Sequence, residues 1–204
     1  MKITAIKQQV KNPERVSIFV DGKYSFSLSL DELVTERLKA DDELDGAALK
    51  RLQKLSADGK LRARALAWLL NRPHSTREFR DYLRRKKAEP EMIENLILAF
   101  SAKKYLDDEA YARWLVELRS RAGKSNRAMT SELFRKGINR EVITAVLPAA
   151  GGDEAERLKT LISKKRKLSR YKNDPARLVK YLTSQGFSYS LVKQQLDIDL
   201  SDPR

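Results

Sequence analysis

The chain has 204 residues, 42 of them Lys or Arg against 28 Asp or Glu, for a formal charge of +14. With no Cys and one His, disulfide frameworks, thiolate metal sites, cysteine nucleophiles and His-rich metal sites are excluded. No charge-free stretch approaches the roughly 20 residues of a spanning helix. Lys7 and Lys11 stand where a secretory leader would be apolar, so a cytoplasmic protein is expected.

Low Gly and Pro, 8 and 6 residues, in a chain rich in Ala, Leu, Lys, Arg and Glu, predict a mainly helical protein. The excess charge predicts an anionic partner. It is unevenly placed: residues 1–60 carry 11 basic and 10 acidic side chains, and residues 61–204 carry 31 and 18.

The first 30 residues read as strands. Ile3–Ile6 is followed by a turn at Asn12-Pro13-Glu14, then Arg15–Val20, then Asp21-Gly22, then Lys23–Leu28. Asp-Gly between alternating runs is a strong hairpin signal, because a two-residue type I′ turn needs positive φ at both positions. Tyr24, Phe26 and Leu28 alternate with polar residues and predict one buried strand face. Short helices are expected at 29–38, capped by Ser29 or Asp31, and at 45–55.

Beyond residue 60 the pattern is helical and repeats. Phe79, Met129 and Leu178 are spaced by 50 and 49 residues. Leu83, Leu133 and Leu182 share those offsets, as do Ile93, Ile143 and Val192, and Ile97, Leu147 and Leu196. Ser75, Ser125 and Asp174 recur at the same offsets and suit helix N-caps. Such a period signals tandem units. Each unit holds three apolar-periodic runs: 61–70, 75–85 and 91–100; then 108–118, 125–135 and 140–147; then 153–162 with a basic extension, 174–184 and 188–196. Ser75-Thr76-Arg77-Glu78 reads as a capping box, which Ala128 removes from the second unit. Gly137 and Gly186 suit the left-handed position after the middle helices.

The expected fold is therefore mainly α: three tandem three-helix repeats in an elongated array, preceded by a small antiparallel β meander with short helices. The expected divisions are 1–57, 58–106, 107–152, 153–197 and a tail at 198–204.

Several local patterns imitate chemistry. Ala122-Gly123-Lys124-Ser125 ends like a phosphate loop, but the required earlier Gly is Leu118 and a helix precedes it. Asp41–Gly46 begins like a calcium loop, but its twelfth position is Leu52. His74 reads as an exposed turn residue. Trp68 and Trp114 read as core, whereas Tyr171 and Tyr189 are better candidates for exposure. Neither catalytic, metal nor cofactor residues are expected.

The basic clusters carry the functional expectation. The first unit offers Arg72, Arg77, Arg80, Arg84 and Arg85, with Arg77, Arg80 and Arg84 on one helix face. The second offers Arg119, Arg121, Lys124, Arg127, Arg135 and Lys136. The third offers Lys164, Lys165, Arg166, Lys167, Arg170 and Lys172. Cations at corresponding places in a repeat suit phosphate contacts. The candidate binding set is Arg72, Arg77, Arg80, Arg84, Arg85, Lys124, Arg127, Lys164, Lys165, Arg166, Lys167, Arg170 and Lys172.

Arg72-Pro73-His74-Ser75 with Glu78 and Leu83, Tyr105-Leu106-Asp107-Asp108 with Tyr111-Ala112, Lys136-Gly137-Ile138, and Gly186-Phe187 together resemble the RecX family over residues 58–197. Val20-Asp21-Gly22-Lys23-Tyr24 is similar to the extension of its longer members. The resemblance implies a non-enzymatic, monomeric regulator without cofactor. It implies binding to the RecA recombinase in the groove of the RecA–DNA filament, and restraint of strand exchange, ATP hydrolysis and co-protease activity in DNA repair and the SOS response. Non-sequence-specific binding to single- or double-stranded DNA accompanies it. The alternative is a general DNA-binding protein built from helix-turn-helix-like units, whose middle helices would present Thr76 and Arg77, Asn126 and Arg127, and Ala176 and Arg177 to bases.

Overall fold

The structure is a computed structural model that describes residues 1–196; the tail expected at 198–204 and the last residue of the third repeat lie outside the described residues. The chain divides into two compact units, the first Met1–Leu70 and the second beginning at Asn71.

The first unit is an antiparallel meander of β1 (Ile3–Gln9), β2 (Asn12–Val20) and β3 (Lys23–Ser29), in that order, followed by α1 (Leu30–Thr35) and α2 (Gly46–Leu69). Asp21 and Gly22 adopt φ of 49° and 80°, as the Asp-Gly hairpin requires. Asn12 and Pro13 are not a turn but the start of β2; Gln9 pairs with Asn12, leaving Val10 and Lys11 as the connection. Pro13 is tolerated because the pairing of β2 with β3 extends only to Arg15 and Ser29.

Ile3, Val16, Ile18, Val20, Phe26 and Leu28 bury one sheet face with Leu44 and Leu52. Tyr24 does not join them and is 52% exposed. A register shift between Ile18 and Phe19 pairs Phe19 with Tyr24, which turns the tyrosine to the other face. The outer edge of β3 is closed by a side chain. The Ser56 hydroxyl accepts from the Ser27 amide (3.2 Å) and donates to its carbonyl (2.7 Å), where a further strand would otherwise pair.

Ser29 caps α1 in a full capping box with Glu32. The helices expected at 45–55 and 61–70 are one 24-residue helix, N-capped by Asp45. It runs through Gly59, whose interior cost is only about 1 kcal/mol. A Cβ at Gly59 would overlap the Glu32 carboxylate, so the glycine is what admits that side chain. The boundary expected near residue 57 thus falls inside a continuous helix.

The second unit contains α3 (Thr76–Arg85), α4 (Pro90–Ala102), α5 (Asp108–Arg121), α6 (Asn126–Arg135), α7 (Arg140–Gly151), α8 (Glu154–Arg166), α9 (Ser169–Lys172), α10 (Pro175–Ser184) and α11 (Tyr189–Leu196). The single turn α9 is not evident in the sequence pattern. Ser75, Ser125 and Asp174 are the N-caps of α3, α6 and α10, each accepting an amide three residues on.

Gly137 and Gly186 take φ of 81° and 96°, and Lys87 takes the same left-handed place after α3 at 58°. The apolar positions in register are buried, except that Leu147 is half-buried. Tyr111, Leu115, Val116, Met129, Leu133, Ile138, Ile143 and Val146 form the core of α5–α7. Leu158, Leu161, Ile162, Tyr171, Leu178, Leu182, Phe187, Val192 and Leu196 form that of α8–α11. Tyr171 is therefore core, while Tyr189 is exposed.

Candidate functional site

Within the second unit, the three middle helices meet end to end through one repeated joint. At the N-terminus of α3, the Ser75 hydroxyl donates to the carbonyl of Lys136, the residue that ends α6 (2.8 Å). At the N-terminus of α6, the Ser125 amide donates to the carbonyl of Gln185, which ends α10 (3.3 Å). The next free amide is also satisfied alike. Thr76 N–H donates to Asp108 Oδ1 and Asn126 N–H to Glu154 Oε1, both at 2.7 Å. Asp108 and Glu154 each begin the first helix of the following repeat. At α6 an orphan amide at one helix start and an orphan carbonyl at another helix end satisfy each other; at α3 the Ser75 hydroxyl donates to the carbonyl instead, and at both joints opposite dipole ends are brought together.

The joints are close. A Cβ on Gly137 would stand 2.9 Å from Arg77 Cβ, and one on Gly186 would stand 2.8 Å from Ala128 Cβ. Gly186 thus lies against Ala128, the residue that stands where the first repeat has Glu78. Glu78 does not complete the expected capping box. Its carboxylate accepts from Lys136 Nζ (2.8 Å) and Arg72 Nη1 (3.1 Å). Burial raises its pKa, but the hydrogen bonds and charges of Lys136 and Arg72 outweigh burial and hold it below the ordinary value.

His74 lies 3.3 Å from the same carboxylate. It is 4% exposed, so the exposed turn residue expected from sequence is instead part of this packed cluster. The Tyr111 phenol, 3.5 Å from Glu78, is raised by burial and by that carboxylate. At the second joint Arg157 takes the corresponding place. It donates to the carbonyls of Gly151, Gly152 and Lys124 and to Asn126 Oδ1. Burial pulls its pKa down.

The expected basic residues divide into two groups. Arg72 is committed to Glu78 and covers the Trp114 ring at 5.1 Å. Arg80 forms a two-pronged ion pair with Glu94, so Arg77, Arg80 and Arg84 do not form an unengaged stripe. Arg84 is 3.6 Å from Asp81. Lys124 is half-buried.

By contrast, Arg77, Arg85, Arg127, Lys164, Arg166, Lys167 and Lys172 are exposed. Lys165 lies 4.9 Å above Tyr181, and Arg170 lies 4.8 Å from the Tyr171 ring. Lys164 and Lys165 come together with Arg121, Leu161 and Tyr181 around a cleft of about 820 Å³ between the second and third repeats. Arg77 shares a second cleft, of about 380 Å³, with Arg135 and Lys136 and with the carboxylates of Glu78, Asp81 and Glu132.

Arg177 was absent from the expected set. It stands exposed on the first turn of α10, as Arg77 and Arg127 do on α3 and α6. It lies one residue off the repeat offset and entered the sequence reading only in the helix-turn-helix alternative, beside Ala176. Arg157 offered no sequence signal, because its role depends on carbonyls from two loops.

The phosphate-loop imitation is an inter-helix turn: Gly123 has φ of 74° and Ser125 caps α6. Among the described residues no group of acidic or His side chains could hold a metal ion, and Leu52 of the calcium-loop imitation is buried. No helix among them is long and apolar enough to cross a membrane.

Comparison with known proteins accounts for both units. The regulatory protein RecX of Bacillus subtilis (strain 168) is 33% identical over 201 residues, covering 96% of this chain and 76% of that protein. The chain belongs to the RecX family. The model of the RecX N-terminal domain matches residues 1–45, and that of the second three-helix domain of RecX matches residues 107–147. The regulatory protein RecX of Clostridium botulinum (strain Alaska E43 / Type E3) is 30% identical over 200 residues, covering 94% of this chain and 93% of its own.

A crystal structure of regulatory protein RecX superposes with a TM-score of 0.71 at 26% identity, covering 97% of this chain and 99% of that one. RecX from Lactobacillus salivarius, at 22% identity, shares the fold over 69% of this chain and 94% of its own, with a TM-score of 0.58. RecX proteins are regulators, not enzymes, in keeping with a site built from helix ends and cations.

Proposed function

We propose that this RecX protein binds the RecA–DNA filament in its groove and restrains strand exchange, ATP hydrolysis and co-protease activity during DNA repair and the SOS response. It acts as a cytoplasmic monomer, with the repeats at 58–106, 107–152 and 153–197 as successive contact units. Family membership supports the RecA part of the reading.

One observation carries the DNA part: Arg77, Arg127 and Arg177 recur, exposed, on the first turn of each middle helix. Phosphates reward regularly placed cations without regard to base sequence. Sequence reading by helix N-termini is disfavoured, because the starts of α3 and α6 are occupied by the next repeat and Ser75 and Ser125 are fully buried.

The direct test follows DNA-dependent ATP hydrolysis by RecA as this protein is added. A progressive fall is expected. An unchanged rate at saturating amounts refutes the RecA reading, and equal affinity for DNA with and without RecA leaves only a DNA-binding protein.

A further inference from the structure

The near neutrality of residues 1–60 conceals a separation of charge. Half of the segment's ten acidic side chains are engaged by local structure in ion pairs, at helix starts or by the Lys2 amide. Asp41 pairs with Lys2 at 2.8 Å and Glu36 with Arg51 at 2.6 Å. Glu32 and Asp45 serve helix starts, and Asp21 accepts from the Lys2 amide.

The sheet face opposite the core is different. The register shift that turns Tyr24 outward sets its ring edge-on to Phe19, with centroids 6.1 Å apart. Lys7 lies 5.3 Å over the Phe19 ring. Lys60 donates to the Tyr24 hydroxyl at 3.4 Å. Beside Tyr24, where the edge of β3 meets α2, a cleft of about 390 Å³ is lined by Phe26 and by Gln53, Lys60 and Arg64 of α2, with no carboxylate in its wall.

Two adjoining aromatic rings on the open face of an antiparallel sheet, flanked by cations, fit unpaired bases stacked on rings with phosphates on ammonium and guanidinium groups. Two competing uses fit less well. Strand addition at the β3 edge is blocked at Ser27, because Ser56 already takes its amide and carbonyl. A purely acidic peptide would use Lys60 and Arg64 but would gain little from a flat phenol left half-exposed.

We propose that the outer face of β1–β3, continued over the β3 edge into the cleft beside α2, is a second nucleic-acid site, a stacking platform for a short single-stranded segment. Phe19 and Tyr24 take bases, and Lys7, Lys60 and Arg64 take phosphates. The choice of nucleic acid rests on the reading of the second unit above, but the residues do not overlap with Arg77, Arg127 and Arg177.

The test uses the full chain and fluorescence-labelled oligothymidylate, the matching duplex, and an abasic strand of the same length. Tyr24→Ala should weaken oligothymidylate binding about five- to tenfold, near the lower end of a single base–ring contact. Duplex and abasic-strand binding should be unchanged, and Tyr24→Phe should restore the loss. Lys60→Ala with Arg64→Ala should weaken both single strands alike. Melting curves confirm that the variants remain folded.

If Tyr24→Ala leaves oligothymidylate affinity intact while loss of Arg77, Arg127 and Arg177 lowers it, the platform is overturned and the filament reading stands. If Tyr24→Ala impairs binding to RecA alone, the face is a protein contact and the platform is again overturned. If the unmodified protein binds no nucleic acid at all, both readings fall.

Discussion

The joint between α6 and α10 can be isolated with a pair of glycine substitutions. Gly186 and Gly152 both have positive φ, 96° and 65°. Alanine at Gly186 bears the strain of a Cβ at positive φ, about 1–2 kcal/mol, and alanine at Gly152, with ψ of −168°, that of a region nearly confined to glycine, about 1–3 kcal/mol. Their surroundings differ. Nothing lies within 4 Å of a Cβ placed on Gly152, whereas one on Gly186 would stand 2.8 Å from Ala128 Cβ and 3.2 Å from the Ala128 amide nitrogen. The second neighbour is backbone on the first turn of α6 and cannot swing aside.

Overpacking of this kind adds about 1–3 kcal/mol. Gly152→Ala should therefore cost about 1–3 kcal/mol from backbone strain alone and Gly186→Ala about 2–5 kcal/mol. Urea unfolding followed by circular dichroism measures the difference. Amide hydrogen exchange localises it, since Ser125 and Asn126 N–H donate to Gln185 O and Glu154 Oε1 across the joint and should lose protection only in Gly186→Ala. Equal destabilisation by the two substitutions, with unchanged exchange at Ser125 and Asn126, would refute the close joint.

Three other outcomes follow from the same geometry. Leu133→Ala, at a fully buried position in the α5–α7 core, should destabilise by about 2–5 kcal/mol, read from the same unfolding curves. Glu78 has a folded pKa held below its ordinary value near 4.5. Its contribution to stability is present above that value and is lost as pH falls through the lowered folded value. Glu78→Gln should therefore flatten the loss of melting temperature on acidification, whereas an unchanged acid limb removes Glu78 as its source. Replacing Arg77, Arg127 and Arg177 together by Ala should reduce the salt slope of DNA binding by about two to three units without shifting the melting temperature. Arg80→Ala, which breaks the pair with Glu94, should change the slope less than any one of the three.

Features governed by neighbours in the chain were legible. The N-caps at Ser75, Ser125 and Asp174, the left-handed glycines and the buried positions at 50- and 49-residue spacing all depend on a few adjacent residues. Features set by distant partners were not. Tyr24 belongs to the core by alternation, but a one-residue shift in pairing with Phe19 sends it outward. Arg80 reads as one of three cations on a helix face until Glu94 of the next helix claims it. His74 reads as a turn residue until Glu78 and the fold around it enclose it. The cationic clusters were visible in the sequence, but which of their members remain unengaged depends on carboxylates from other elements.

The joint also decides how the remaining cations act. Arg77 is in contact range of Gly137, and Gly137 follows α6, a helix of 10 residues with Arg127 on its first turn. At 1.5 Å per residue, the backbone positions of Arg77 and Arg127 are about 15 Å apart along α6. The same construction through Gly186 and α10 separates Arg127 from Arg177 by a similar length. Screening in physiological salt acts over about 8 Å, so the three charges neither repel one another appreciably nor share a counterion. Each contact with a phosphate then adds its own increment to the salt slope. A substitution that loosens one joint, such as Gly186→Ala, should lower affinity by upsetting the spacing while leaving each arginine's individual contribution intact. Loss of one arginine should remove one increment and leave the spacing unchanged.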